Sequence, residues 1–288
     1  MKKRVETQLA ANSPSKIEGA RGSMKERHSP QLLCIKKRVV IIGSGNVATS
    51  LALALRDKCE LVQIYSRTLA NAKQLAKIVG CAATDSLQDL ALDADIYLIA
   101  VKDDAISSVV DAVLDNGALW LHTSGSTPIE VFQETRNRYG VLYPMQSFSK
   151  SNPVDMSEVH IFVEGNDSET IREVKELASL MTKNVHEATS QEREKLHIAA
   201  VFACNFANHM FTLSSEVLDE ANIPFDSMLP LIKTTIAKLD NMTPAESQTG
   251  PAVRHDVKII KKHLAALDGD KRRIYKLLSQ SIMNSKKR

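Results

Sequence analysis

The stretch VVIIGSGNVATSLALAL, Val39 to Leu55, passes from an apolar run through two glycines into a helical pattern within a few residues. The spacing Gly43-Ser44-Gly45-Asn46-Val47-Ala48 is the G-x-G-x-x-A form of a dinucleotide-binding fingerprint. In that motif the first glycine permits the sharp turn and the second lets a pyrophosphate approach the backbone. The small sixth residue lets the helix pack closely on the strand. The helix start then offers free N–H groups and the positive end of its dipole to phosphate oxygens. Alone the spacing is a weak signal. Here it lies between a strand pattern and a helix pattern, at the head of an alternating region, which is the context the motif requires. A glycine turn serving only for packing is the competing reading.

The next strand decides which dinucleotide. An NAD site places an acid about 20 residues on, at the end of the second strand, to hold the ribose hydroxyls. This chain ends that strand with Tyr65-Ser66-Arg67-Thr68. A carboxylate there would repel a 2′-phosphate, whereas a guanidinium grips one bidentately. NADP is therefore the expected cofactor, and a site for S-adenosylmethionine is disfavoured for want of the same acid. The alternative for Arg67 is a solvated loop residue.

Working outward, apolar runs rich in Val and Ile occur at 38–42, 61–65, 96–101 and 118–122, with helical patterns at 47–58, 69–80 and 104–115. This alternation predicts βαβ units around a mostly parallel sheet buried on both faces. Further strands are expected at 140–146, 160–164 and near Val185, with a helix over 169–181. After Thr189 no strand signal returns. Residues 190–222 read as one long helix, and further helices are expected at 229–239, 252–267 and 271–283. The fold class is α/β, a Rossmann-type mostly parallel sheet followed by an all-helical C-terminal domain. The expected division is 1–23, 24–188 and 189–288.

The chain has 288 residues, 43% apolar and 25% charged, as befits a globular protein. Residues 1–23 contain IEGAR and end in Gly-Ser before Met24, which reads as a leader of cloning origin. That leader carries five basic and two acidic residues, so the net charge of +3 lies within it. The rest is balanced, and neither nucleic acid nor membrane is an expected partner. No apolar run approaches the ~20 residues of a membrane helix. Cys34, Cys59, Cys81 and Cys204 lie far apart, without metal-ligand spacing or a disulfide framework. No metal is expected, and a reducing, cytoplasmic setting is.

Ligands of open α/β sheets gather at the carboxyl ends of the strands. The fourth strand ends at Val101, on that cofactor edge, and is followed by Lys102, Asp103 and Asp104. Either acid is a candidate cap for the next helix. The fifth ends in His122-Thr123-Ser124-Gly125-Ser126, where Ser124 and the Gly125 backbone are candidates for the site, while Ser126 and Thr127 before Pro128 are a candidate helix start. On the long helix, His197, Asn205 and Asn208 fall within an arc of about 80° at about 100° per residue. They are either satisfied core polars or one wall of a site. In Thr249-Gly250-Pro251, a helix start, Arg254 would sit near a helix N-terminus, unfavourable for a cation without a specific partner.

GSGNVA, YSRT, HTSGS, YPMQSF, HIAAVFACNF and TGPAVRHD, in that order, resemble a bacterial family with a Rossmann-like domain and a helical domain of unknown function. More distantly the chain is similar to pyrroline-5-carboxylate reductase, deazaflavin-dependent NADP reductases and the 6-phosphogluconate dehydrogenase superfamily. The resemblance implies NADP binding through Gly43, Gly45, Asn46, Ser66, Arg67 and Thr68, with Ser44, Val47 and Val101 beside them. It also implies a helical domain that forms a homodimer. Two positions depart from the family: glycine often stands at His255 and histidine at Tyr143. The superfamily's long-helix lysine is missing, since Val201 stands four residues before Asn205.

The expected function is an NADP-dependent reductase or dehydrogenase acting on a small anionic carbonyl, imine or alcohol substrate in a cleft between the two parts. His197 would be the proton donor, because imidazole titrates near neutrality. Asn205 would orient substrate, Ser124 bind its polar end, and Arg254 hold a carboxylate. The rivals are a non-catalytic NADP-binding regulator or assembly protein and, third, a methyltransferase.

Overall fold

The computed structural model describes residues 36–152 and 154–285. The expected leader 1–23 and Cys34 lie outside them. Eight strands form one sheet in the order β3-β2-β1-β4-β5-β6-β7-β8. They are β1 (Arg38–Ile42), β2 (Glu60–Tyr65), β3 (Ala82–Thr84), β4 (Ile96–Ile99), β5 (Leu119–His122), β6 (Tyr139–Pro144), β7 (Ile161–Gly165) and β8 (Val185–Glu187). Every neighbouring pair is parallel except β6 with β7. The helices between them are α1 (Asn46–Leu55), α2 (Leu69–Val79), α3 (Ile106–Ala112) and α4 (Ser168–Ser179).

Strand alternation divides the core. Val39 and Ile41 point to the face covered by α1, α2 and α4, where they meet Leu51, Leu75 and Leu177. Val40 and Ile42 point to the other face, against Ile106, Val110 and Phe132. Successive side chains of a strand take opposite faces, so an unbroken apolar run is what a doubly covered strand requires. Each such side chain contributes about 1.5–3 kcal/mol by its burial. β3, only Ala-Ala-Thr, carries no such run and was not expected.

Beyond Thr189 the chain is helical. Thr189 caps the start, its side chain accepting from Glu192 N while Glu192 reaches back to Thr189 N. The expected long helix is α5 (Ser190–Ala200), a π-helical stretch Val201–Phe206, and α6 (Ala207–Asp219). By length and composition it reaches what a membrane crossing needs, with mean hydropathy 1.2 over an 18-residue window of which 0% is buried. That corrects the expectation that no apolar run does. His197, Asn205 and Asn208 interrupt the run without lowering its mean enough. Then come α7 (Leu229–Ala237), α8 (Pro244–Ser247), α9 (Val257–Ala266) and α10 (Gly269–Ser285). The helix expected from Ala252 begins only at Val257. Asp256 caps it by accepting from Ile259 N, and His255 just before has φ 54°, a left-handed conformation that ends any helix continuing from Ala252.

Candidate functional site

The turn after β1 forms as the spacing requires. Gly43 N donates to Tyr65 O at 2.8 Å, joining the ends of β1 and β2. Gly43 has φ 134°, and a Cβ there would lie 2.2 Å from Ala100 O, so no other residue fits. At Gly45 a Cβ would meet nothing within 4 Å. Its backbone therefore faces open space at the start of α1, a helix with no side-chain cap and no acid in its first turn. That bare, acid-free N-terminus is a cradle for phosphate oxygens. Ser44 donates to Ser66 Oγ at 2.8 Å, linking the turn to the end of β2. Arg67 is exposed there and has no ion-pair partner among the described residues.

One cleft of about 1330 Å³ runs from this turn along the strand ends to the long helix. Gly43, Ser44, Gly45, Asn46 and Val47 line it, as do Ser66, Arg67, Thr68 and Val101. At the far end stand Ser124, Tyr143, His197, Cys204 and Asn205. An exposed backbone cradle at one end and an unpaired guanidinium beside it are what a phosphorylated dinucleotide requires, so the residues present fit NADP. Of the expected residues, Arg254 and Asn208 are not part of this lining. Arg254 is exposed and lies in the turn before α9, two residues ahead of the Asp256 cap.

Asn205 lines the cleft and Asn208 does not, although ideal spacing puts both near His197. The π-helical stretch is the reason. It takes about one extra residue in its turn, so the residues beyond it lag by about 100°. The lag carries Asn205 toward the meridian of His197 and Asn208 away from it. Cys204, seven residues past His197 and so on the same helical face, also reaches the cleft.

Ser124 is 6% exposed and its Oγ accepts from Ser126 N at 3.1 Å and Thr127 N at 2.9 Å. These bonds close the loop and cap no helix: the short helix Ile129–Phe132 starts after Pro128 with no side-chain cap, and Ser124 also faces the cleft. Asp103 makes no helix cap; its carboxylate accepts the Ser126 hydroxyl and ties the β4 and β5 loops together. His122 is fully buried and accepts from Ser124 N at 3.2 Å. Burial, with the Arg193 charge nearby, pushes its imidazole down to about 3, so it is neutral.

Tyr143, the position where the family often has histidine, also stands at this end. Its Oη lies 3.3 Å from His197 Nδ1, the two rings edge to face. Burial raises the phenol above its ordinary value, with Arg193 pulling it down, so it holds its proton at neutral pH. The pair offers an O–H donor backed by an imidazole.

Residues 38–120 match the family described as "NADP oxidoreductase coenzyme F420-dependent", and 159–282 match DUF2520, a domain of unknown function. A Bacteroides fragilis crystal structure described as a "putative NADP oxidoreductase" is 41% identical, covering 86% of this chain and 98% of its own, with a TM-score of 0.81. A reductive aminase from Aspergillus terreus, in complex with NADPH and ethyl-5-oxohexanoate, is 11% identical over 87% of this chain and 94% of its own, with a TM-score of 0.66. A pyrroline-5-carboxylate reductase from Coxiella burnetii is 16% identical over 88% and 98%, with a TM-score of 0.53. At those two identities the likeness is one of fold. A comparison with curated proteins finds no match. The cofactor expected at the turn, NADP, is the family's. By its match to the Bacteroides fragilis protein over nearly all of that chain, this protein belongs to the same NADP oxidoreductase family, a Rossmann domain followed by a DUF2520 domain.

Proposed function

We propose that the protein is a reductase or dehydrogenase that moves hydride between NADP and a carbonyl, imine or alcohol carbon of a small anionic substrate. The observation that carries this is the continuity of one cleft from Gly45 and Arg67 to the Tyr143–His197 pair. NADPH, when bound, supplies the hydride. The protein's part is to hold the dinucleotide by the Gly43–Val47 turn and the Ser66–Thr68 strand end, and to bring the substrate to the far end. There Tyr143 or His197 delivers the proton, Asn205 orients the substrate, and the Ser124 hydroxyl, whose oxygen already accepts two bonds, donates.

The helical half completes the site as a homodimer in this reading. Phe202, Phe206, Leu231, Ile236 and Leu277 are 49–67% exposed, and such faces are what a second copy covers in a closed pair. Arg254, exposed and outside the cleft, would then hold the substrate carboxylate in the partner's cleft. Cys59, Cys81 and Cys204 are free thiols, in line with a cytoplasmic setting.

The test is a fluorescence titration with NADPH, then turnover on a panel of oxo- and imino-acids by the wild type, His197→Ala, Tyr143→Phe and Ser124→Ala. C=N substrates lead the panel because a reductive aminase and a pyrroline-5-carboxylate reductase share the fold. Tight NADPH binding and turnover lost in the variants are expected. No binding at hundreds of micromolar removes the reading. Binding without turnover favours a regulator, and turnover indifferent to the variants removes the site while sparing the enzyme class.

A further inference from the structure

Arg193 lies one turn into α5 and is 1% exposed. A buried guanidinium is costly unless its N–H groups are paired. Its Nη2 donates to Glu164 Oε2 and to Ser190 Oγ, each at 2.9 Å. Its Nη1 donates to the carbonyls of Thr127 at 2.7 Å, Ser124 at 3.1 Å and Gly125 at 3.5 Å. Glu164 belongs to β7, the carbonyls to the loop after β5, and Ser190 to α5. One side chain therefore joins two strand ends to the first turn of the long helix.

What it holds in place is the next residue on the same face. His197 stands four positions on, one turn along α5. Its ring rests against Gly125 so closely that a Cβ at Gly125 would lie 2.8 Å from His197 Nδ1 and 2.9 Å from its Cβ. The absent side chain of Gly125 and the grip of Arg193 on the same loop thus fix one distance, that of the imidazole from the strand ends. Apolar residues of similar size would fasten a helix to a sheet at no greater cost. They would not read three backbone carbonyls, which is what sets the register of the loop.

We infer that Arg193 is a positioning residue: through the Ser124–Thr127 carbonyls it sets the long helix so that His197 stands over Gly125 at the nicotinamide end of the cleft. This rests on the NADP reading above but not on the protein's being catalytic.

The test tracks carbethoxylation of His197 by diethyl pyrocarbonate, by peptide mass spectrometry, with and without NADPH, using His209 and His263 as internal controls. NADPH affinity and thermal midpoint are measured alongside. The variants are Arg193→Met paired with Glu164→Gln, Arg193→Lys, and Gly125→Ala, which leaves the clamp intact but displaces His197. NADPH is expected to slow modification of His197 in the wild type about tenfold. In the paired variant and in Gly125→Ala that protection falls below about twofold, while NADPH affinity changes less than about threefold, because the Arg67 end is untouched. Arg193→Lys restores part of the protection, and the control histidines do not change. Protection unchanged in folded variants overturns the inference, as does protection lost only in step with NADPH binding. A wild type that binds no NADPH defeats the cofactor reading itself; one that binds NADPH normally while the variants protect His197 normally defeats the positioning role alone.

Discussion

Ile41, Leu98 and Trp120, in the central strands, are 0% exposed, whereas Phe202, Leu231 and Leu277, beyond Thr189, are 66%, 63% and 67% exposed. The residue types are alike and the surroundings are not. In the sheet half the central strands are covered on both faces, so alternate side chains find partners within the chain. In the helical half, Ala252 and Ile260, at 6% and 7% exposure, are the buried apolar side chains among the described residues. Helices gain most of their stability from burying an apolar face, and these faces have nothing among the described residues to bury against. The difference fits the proposed dimer: the sheet is covered by its own helices, and the helical half would be covered by a second copy.

The sharpest way to break that comparison is to charge the uncovered face. The double variant Phe202→Glu, Leu231→Glu should weaken self-association at least about 100-fold, since apolar anchors at such faces are worth about 2 kcal/mol or more each. Sedimentation velocity reads it: a dimer for the wild type and a monomer for the variant. A wild type that sediments as a monomer contradicts the account of the helical half.

The sheet half is tested through His122. Its imidazole sits near 3 when folded, against 6.5 ordinarily, because burial admits only the neutral form. Below 6.5 the unfolded chain takes up a proton that the folded chain refuses. The stability His122 leaves intact above 6.5 is therefore lost as pH falls toward 3, at about 1.4 kcal/mol per pH unit. His122→Asn keeps an acceptor for Ser124 N–H and does not titrate. Its urea-unfolding free energy should fall less steeply between pH 6 and pH 4.5, by about 1 kcal/mol per unit. Parallel slopes would mean that the imidazole is not held neutral.

The smallest effect belongs to His255. A side chain at φ 54° costs about 1 kcal/mol that glycine does not. His255→Gly should raise the thermal midpoint by about 2–4 °C. A lower midpoint would show that the imidazole makes contacts worth more than the backbone strain.

The same contrast explains what the sequence made legible. Strands shut off on both faces carry largely apolar runs, so β1, β2, β4 and β5 were readable, and so was the glycine turn between β1 and α1. β3 was not, because three small residues at a sheet edge leave no pattern. The π-helical turn at Val201–Phe206 has no compositional mark, so a uniform period misplaced Asn208. Arg193, in the run QEREK, reads as one more solvated charge, and only the fold brings Glu164 and three carbonyls around it. Tyr143 lay within a strand pattern whose end was not tied to the helix carrying His197. The late start of α9 comes from a left-handed His255, which sequence spacing does not reveal.

The account stands on the guanidinium at the end of β2. Titrating NADPH and NADH separately into the wild type and Arg67→Asp, by coenzyme fluorescence, tests it most directly. The wild type should prefer NADPH by about tenfold or more, the value of one charge-assisted phosphate contact, and Arg67→Asp should abolish or invert that preference. An unaltered ratio of the two affinities would contradict it.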